Sequence, residues 1–280
     1  MFAFSHTLQL TGRLLVGTFL ATFAVELAAP PASAQTETGE TAIETVSNTD
    51  TTRHRHLYRR SSPRSDFATA IVAYMESQNY HIDREPGEFN IVLLKGTNPD
   101  GTPNGNAALP PRYNDLLVLL TFDESDRPQI RLAVPVTTES NARLRVHPDH
   151  EPFGGPAQVM TGQHIGKWQL QPGMRLRRGR PFTGLMQVGE LPIGFDRNND
   201  GDIDPGEPVR QWLPGRDGGA FVFHPDLNFP LSGTASSGCI VTHYDNDFFT
   251  FIRYLENSSQ YRSNPEYRWT VTLLEPNAIL

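Results

Sequence analysis

Tyr267-Arg268-Trp269-Thr270-Val271-Thr272-Leu273-Leu274 sets Tyr267, Trp269, Val271 and Leu273 against Arg268, Thr270 and Thr272. A period of two is the mark of a half-buried strand, whose successive side chains point to opposite faces. The same reading extends outward along the chain. Phe89–Leu94 and Leu116–Phe122 are apolar, β-branched-rich runs, and the Gly/Pro/Asn-rich stretch 96–111 separates them. Ile130–Val136 continues the pattern after an Asp-Arg-Pro turn. Gly184–Val188, Gly219–His224 and Cys239–Thr242 are further strand candidates. Two helices flank them. One is expected over Asp66–Gln78, capped by Ser65, with Phe67, Ala70, Ile71, Tyr74 and Met75 on one face. The other is expected over Asp247–Leu255, capped by Asp245 and presenting Phe248, Phe249, Ile252 and Leu255. The expected fold class is mainly β (α+β), a single domain over 66–280 with a few flanking helices and long loops.

Composition narrows the function classes. Of 280 residues 38% are hydrophobic, enough to bury a sizeable core, while 23 Gly and 23 Pro favour a turn-rich architecture. The net charge of −7 speaks against general nucleic-acid binding, which needs a basic footprint. Residues 1–34 read as a signal peptide: Arg13, an apolar run from Leu14 to about Ala29, then Pro30-Pro31 and the small triplet Ala32-Ser33-Ala34. Glu26 interrupts a run already shorter than the roughly 20 apolar residues a membrane span needs. Export to the periplasm, the cell wall or the extracellular space is therefore expected, with no membrane attachment after cleavage. Residues 35–65, rich in Thr, Glu, Ser and Arg without apolar period, read as a disordered tether. Oligomeric state is not readable from the sequence.

Asp196-Arg-Asn198-Asn-Asp200-Gly201-Asp202-Ile-Asp204-Pro205-Gly-Glu207 fits the calcium-loop template D-x-[DN]-x-[DN]-G-x5-E at every specified position. Asp196, Asn198 and Asp200 would converge on a hard cation, Asp202 would offer its carbonyl, Asp204 would hold a water, and Glu207 would close the site. Pro205 and Pro208 oppose a normal exiting helix, so a structural Ca2+ brace within a β domain is expected over 196–207. The competing reading is a solvated acidic turn.

The chain has one cysteine, Cys239, which excludes an intramolecular disulfide. In an exported protein such a residue is a buried inert thiol, an intermolecular partner or a nucleophile. Gly233-Thr-Ala-Ser236-Ser237-Gly238-Cys239-Ile-Val241 places small residues before it and an apolar strand after it. Gly238 would let backbone amides approach a reacting carbonyl. His224, fifteen residues upstream at the end of Val222-Phe223-His224-Pro225, is the candidate base, because a free thiol is mostly protonated at neutral pH.

His224, a gap, then Ser236-Ser237-Gly238-Cys239 resembles the L,D-transpeptidase catalytic domain, whose motif is His, a gap of about fourteen to seventeen residues, then Ser/Thr-His-Gly-Cys. Phe89-Asn-Ile-Val92, Tyr113-Asn-Asp115, Thr137-Thr-Glu139, Gly162-Gln-His164 and Gln187-Val-Gly-Glu190 are similar to a bacterial and phage branch with that motif, so the resemblance covers about residues 80–275. It implies an L,D-transpeptidase-like β-sandwich or barrel in which Cys239 accepts the acyl group, His224 is its base and the Pro225 carbonyl orients the imidazole. The motif's second histidine is Ser237 here, and the arginine that commonly follows two residues after the cysteine is Val241. Among the cations outside the motif, the run Arg175, Arg177, Arg178, Arg180 is a candidate clamp for a donor carboxylate, against the plainer reading of a solvated basic edge.

The implied activity is a cysteine-dependent, peptidoglycan-modifying acyl transfer on stem peptides through a thioester. Two alternatives accompany it: a hydrolytic L,D-carboxypeptidase or endopeptidase, and a non-catalytic, calcium-braced wall-binding protein.

Overall fold

The structure is a computed structural model that describes residues 66–104, 113–140, 155–175, 181–198, 200–226, 238–275 and 278–279. The expected signal peptide, the tether and Ser65 lie outside the described residues. The protein is mainly β. Among the described residues eleven strands form in chain order: β1 (Asn90–Leu94), β2 (Asp115–Phe122), β3 (Pro128–Thr137), β4 (Ala157–Val159), β5 (Gly162–Met174), β6 (Phe182–Gln187), β7 (Leu191–Phe195), β8 (Val209–Trp212), β9 (Val222–Pro225), β10 (Ile240–Thr242) and β11 (Arg268–Leu274). Helix α1 (Phe67–Ser77) precedes them, and α2 (Asp245–Glu256) and the short α3 (Ser259–Ser263) lie between β10 and β11.

Eight strands close into a barrel in the order β1-β11-β5-β6-β9-β10-β3-β2, while β4-β7-β8 form a separate three-stranded sheet. Closure leaves no unpaired barrel edge. The β1–β11 and β9–β10 pairs are parallel and the other barrel neighbours antiparallel. Ile91, Leu93, Leu117, Leu119, Trp168, Phe223, Ile240 and Trp269 belong to one core cluster, joined by Phe248, Phe251, Ile252 and Leu255 of α2. A second cluster lies under α1, where Phe67, Ile71 and Met75 meet Val92, Leu94, Leu116, Val118 and Leu120. Strands β1 and β2 are thus covered on both faces, which is why they read as continuous apolar runs rather than alternating ones. Each fully buried Leu, Ile or Phe side chain contributes about 1.5–3 kcal/mol relative to exposure.

Some expectations shift in detail. Asp66 occupies the N-cap of α1, without a side-chain cap bond, and the buried face includes Ala68 and Val72 rather than Ala70 and Tyr74. Helix α2 begins at Asp245 itself with Tyr244 as its cap; Phe251 faces the core, whereas Phe249 is 46% exposed. Strand β11 is buried on more than its alternating face, because Thr272 and Leu274 are enclosed as well. The longest strand, β5, was not expected. Its alternation of buried His164, Trp168 and Leu170 is interrupted between His164 and Trp168, where a step of two residues on β11 opposes a step of four on β5. Gly166, at φ +62°, lies in this irregularity, consistent with a bulge.

Candidate functional site

Strands β9 and β10 run side by side in parallel, with Ile240 opposite Phe223, Val241 opposite His224 and Thr242 opposite Pro225. Phe223 and Ile240 belong to the core cluster. Alternation therefore turns Val222, His224 and Val241 to the other face. Cys239 immediately precedes β10, and the Val222 backbone hydrogen-bonds to it. His224 is thus seated opposite Val241, two residues after Cys239 along the neighbouring segment.

His224 is buried, and its ring Nδ1 is 2.8 Å from the Pro225 carbonyl oxygen. A carbonyl can only accept, so Nδ1 carries the proton and donates it, and in the neutral ring Nε2 is the basic nitrogen. Burial pushes the imidazole below its ordinary value, and the charge of Asp226 partly opposes this. Cys239 is half-buried as a residue, yet protein packed around its sulfur pushes the thiol up to about 11; a backbone hydrogen bond from Val222 works the other way. Both shifts favour the uncharged partners.

Gly238 has φ +135°, and a Cβ there would stand 2.3 Å from the Ala157 carbonyl oxygen and 2.9 Å from the Phe221 ring. The glycine therefore lets β4 pass against the residue before Cys239. Ser237 lies outside the described residues, as do Arg177, Arg178 and Arg180.

Beyond the C-terminal ends of β9 and β10 is a second polar group. The Asp226 N–H donates to the Thr242 carbonyl (3.1 Å), which carries the ladder past Pro225. The Tyr113 hydroxyl donates to Asp226 Oδ2. The His243 ring packs against Tyr113 with centroids 4.3 Å apart and against Tyr244 at 4.1 Å. Burial holds His243 below its ordinary value, and the charges of Asp226 and Asp247 act upward.

The acidic loop joins β7 to β8 as a long hairpin connection, closed by the Phe195 N–H to Pro208 carbonyl bond of 3.0 Å. Asp196 is fully buried and accepts from the Asp200 N–H (3.2 Å) and the Gly201 N–H (2.8 Å). Glu207 reaches back across the loop, taking the N–H groups of Arg197 (2.5 Å) and Asn198 (3.2 Å) on Oε1 and that of Asp204 (2.9 Å) on Oε2. The Asn198 amide donates to Asp200 and Asp204, each at 2.9 Å. Gly201 turns at φ +107°, and the buried Gln158 amide holds its carbonyl at 2.6 Å. Among the described residues no three His, Cys, Asp or Glu side chains stand as a metal-holding group.

Asp202 points elsewhere, to Lys95 Nζ at 3.4 Å. Lys95, one of the two lysines of the chain, is buried and lies 3.3 Å from Glu139 Oε1. Asp115, fully buried nearby, is satisfied by the Gly96 N–H and by the N–H and hydroxyl of Thr138. Burial and the neighbouring Asp115 charge push Glu139 up to about 7. Sequence reading missed this network, for a lysine at the end of an apolar strand gives no local sign of burial. It also missed Tyr113 and Asp226 as partners, which lie 113 residues apart.

His164, His224 and His243 are all held below the ordinary 6.5 by burial. A lowered histidine contributes stability above its unfolded value and loses it as pH falls below about 6.5. Glu139, raised, acts with the opposite sign in the same interval. His164→Gln should therefore show a smaller fall in Tm between pH 7 and pH 5 than the wild type, since Glu139 is common to both. Parallel Tm curves would reject the buried neutral state of His164, whose Nε2 is 2.8 Å from the Met160 carbonyl oxygen.

No family model, curated protein or solved structure matches the chain.

Proposed function

We propose that the chain is an exported, cysteine-dependent acyltransferase of the L,D-transpeptidase kind that acts on peptidoglycan stem peptides. The observation that carries this reading is that Cys239 directly precedes β10, beside Val222 of the parallel strand β9 that bears His224, whose Nδ1 is held by the Pro225 carbonyl. That hydrogen bond leaves Nε2 as the ring's base. In the reaction the Cys239 Sγ attacks a peptide carbonyl while its proton passes to Nε2, and a C–S bond forms. The imidazolium then returns the proton to the leaving amine, the C–N bond breaks, and a thioester remains. An incoming amine, or water in the hydrolytic alternative, attacks the thioester; its proton passes through His224 and Cys239 is released. The backbone N–H groups of Gly238 and Cys239 are the proposed donors to the tetrahedral oxyanion.

The test is exposure of the purified protein to a carbapenem, read as intact mass. One covalent adduct is expected on the wild type and none on Cys239→Ala. The absence of an adduct, combined with no release or cross-linking of muropeptides, would leave the inert buried thiol of a wall-binding protein. If activity is found, cross-linked dimers among the products distinguish transfer from hydrolysis.

The loop 196–207 is proposed to hold a structural calcium ion through Asp196, Asn198, Asp200, the Asp202 carbonyl, Asp204 and Glu207. Its fit is supported by the turn at Gly201, by Glu207 reaching across the loop and by the Asp202 side chain turning out to Lys95. Coordination would require the Asn198 amide to release Asp200 and Asp204 and present its oxygen. Calcium bound by the folded state alone adds about 2.7 kcal/mol at a hundredfold excess over Kd. Chelation should thus lower Tm, and Asp200→Ala should remove the chelator's effect. A wild-type Tm indifferent to several millimolar calcium, the range extracellular loops can require, would reduce the loop to an acidic turn.

A further inference from the structure

The polar group beyond the ends of β9 and β10 lies on the face that carries His224. Just past the end of β9, Asp226 follows His224 by two positions, and its N–H bond to Thr242 continues the ladder by one step. The two side chains therefore leave the same face about 7 Å apart along the strand. Just past the end of β10, His243 follows Val241 by two positions, and Val241 is the residue opposite His224. The charge of Asp226 acts on both imidazoles. Tyr113, arriving from before β2, fixes its position: the hydroxyl donates to Asp226 Oδ2 while the ring packs on His243.

We propose that Asp226 is a positioning residue shared by His224 and His243, so that the carboxylate supports whichever imidazole takes up a proton. The inference rests on the reading of Cys239 and His224 as a catalytic pair. When the Cys239 proton passes to His224, the site gains a cation in buried surroundings. A carboxylate fixed along the same face stabilises that imidazolium, and the Tyr113 hydroxyl keeps the carboxylate from turning away. His243 gives the face a second imidazole, four residues after the nucleophile. The charged and titratable groups around them are Cys239, Tyr113 and, in the first turn of α2, Asp245 and Asp247. Asp226 raises Asp245, burial being the larger cause, and Tyr113 is also raised, by burial first and then by its bond to Asp226.

The experiment is an NMR titration of the histidine ring protons, with His224→Gln and His243→Gln supplying the assignments. In Asp226→Asn both midpoints should move down by about one pH unit, the size expected for losing one near opposite charge. The acid limb of the acylation rate should move down with that of His224. If Asp226→Asn does not fold, the folded His243→Gln variant answers the same question: a shared carboxylate released from His243 should raise the His224 midpoint. Unmoved midpoints in a folded variant would overturn the positioning role, while a carbapenem adduct on Cys239 would still stand for the catalytic pair. Moved midpoints without any adduct would instead overturn the catalytic reading and leave the shared carboxylate in place.

Discussion

Gly238→Ala is expected to destabilise the fold by about 3–5 kcal/mol, combining the cost of a side chain in left-handed backbone with that of overpacking. The two causes act at one atom. At φ +135° an L side chain is strained whatever the space around it, and here the added Cβ would lie 2.3 Å from a backbone oxygen, that of Ala157. A flexible side chain could give way, but a backbone oxygen beside a strand cannot shift without moving β4. Movement there has a second consequence, because the Ala157 carbonyl also accepts the Ser140 hydroxyl at 3.1 Å. Gly219→Ala is the control: it is exposed, has no positive φ, and an added Cβ would meet nothing within 4 Å. Its effect should fall within about 0.5 kcal/mol of zero. Urea midpoints of the two variants measure the difference. A Gly238→Ala protein as stable as Gly219→Ala would mean that β4 does not pass against this residue.

Gly238 also illustrates what the sequence could and could not convey. The glycine beside Cys239 was read as room for backbone amides to approach a reacting carbonyl, whereas the structure sets the Ala157 carbonyl of β4 against it; β4, three residues long and about eighty positions away, gave no sign of that contact. The barrel strands other than β5 were legible because burial writes itself into composition: β1 and β2, covered on both faces, are uninterrupted apolar runs. Strand β8 left no such trace, for Val209, Arg210 and Gln211 are exposed; they pair with β7 through backbone, and the Arg210 guanidinium lies over the Phe195 ring. The candidate site divides in the same way. His224 and Cys239 were legible as residue types, and the parallel pairing of β9 with the strand that follows Cys239 was not. Asp226 stood two residues from His224 without attracting notice, because its meaning comes from Tyr113 and His243, which the topology brings from distant positions.

His224→Ala is the second large effect, and its pH dependence carries more information than its size. With the thiol pushed up to about 11, only about one Cys239 in ten thousand is thiolate at pH 7. The proposed reaction avoids that penalty, since His224 takes the proton during attack rather than before it. Acylation of the wild type should therefore be nearly flat between about pH 7 and pH 9 and fall at lower pH, where the imidazole becomes protonated. Loss of the general base should slow acylation by about 10^2- to 10^4-fold at pH 7. The residual rate should then follow the thiolate, rising about tenfold per pH unit towards the thiol's own value. Single-turnover acylation by a carbapenem, followed by mass across pH 6–10, separates the two profiles. A variant with a flat profile would assign the proton to another base. A wild type whose rate itself climbs tenfold per unit would mean that His224 does not activate Cys239, and that any reaction at this thiol proceeds through its rare thiolate alone.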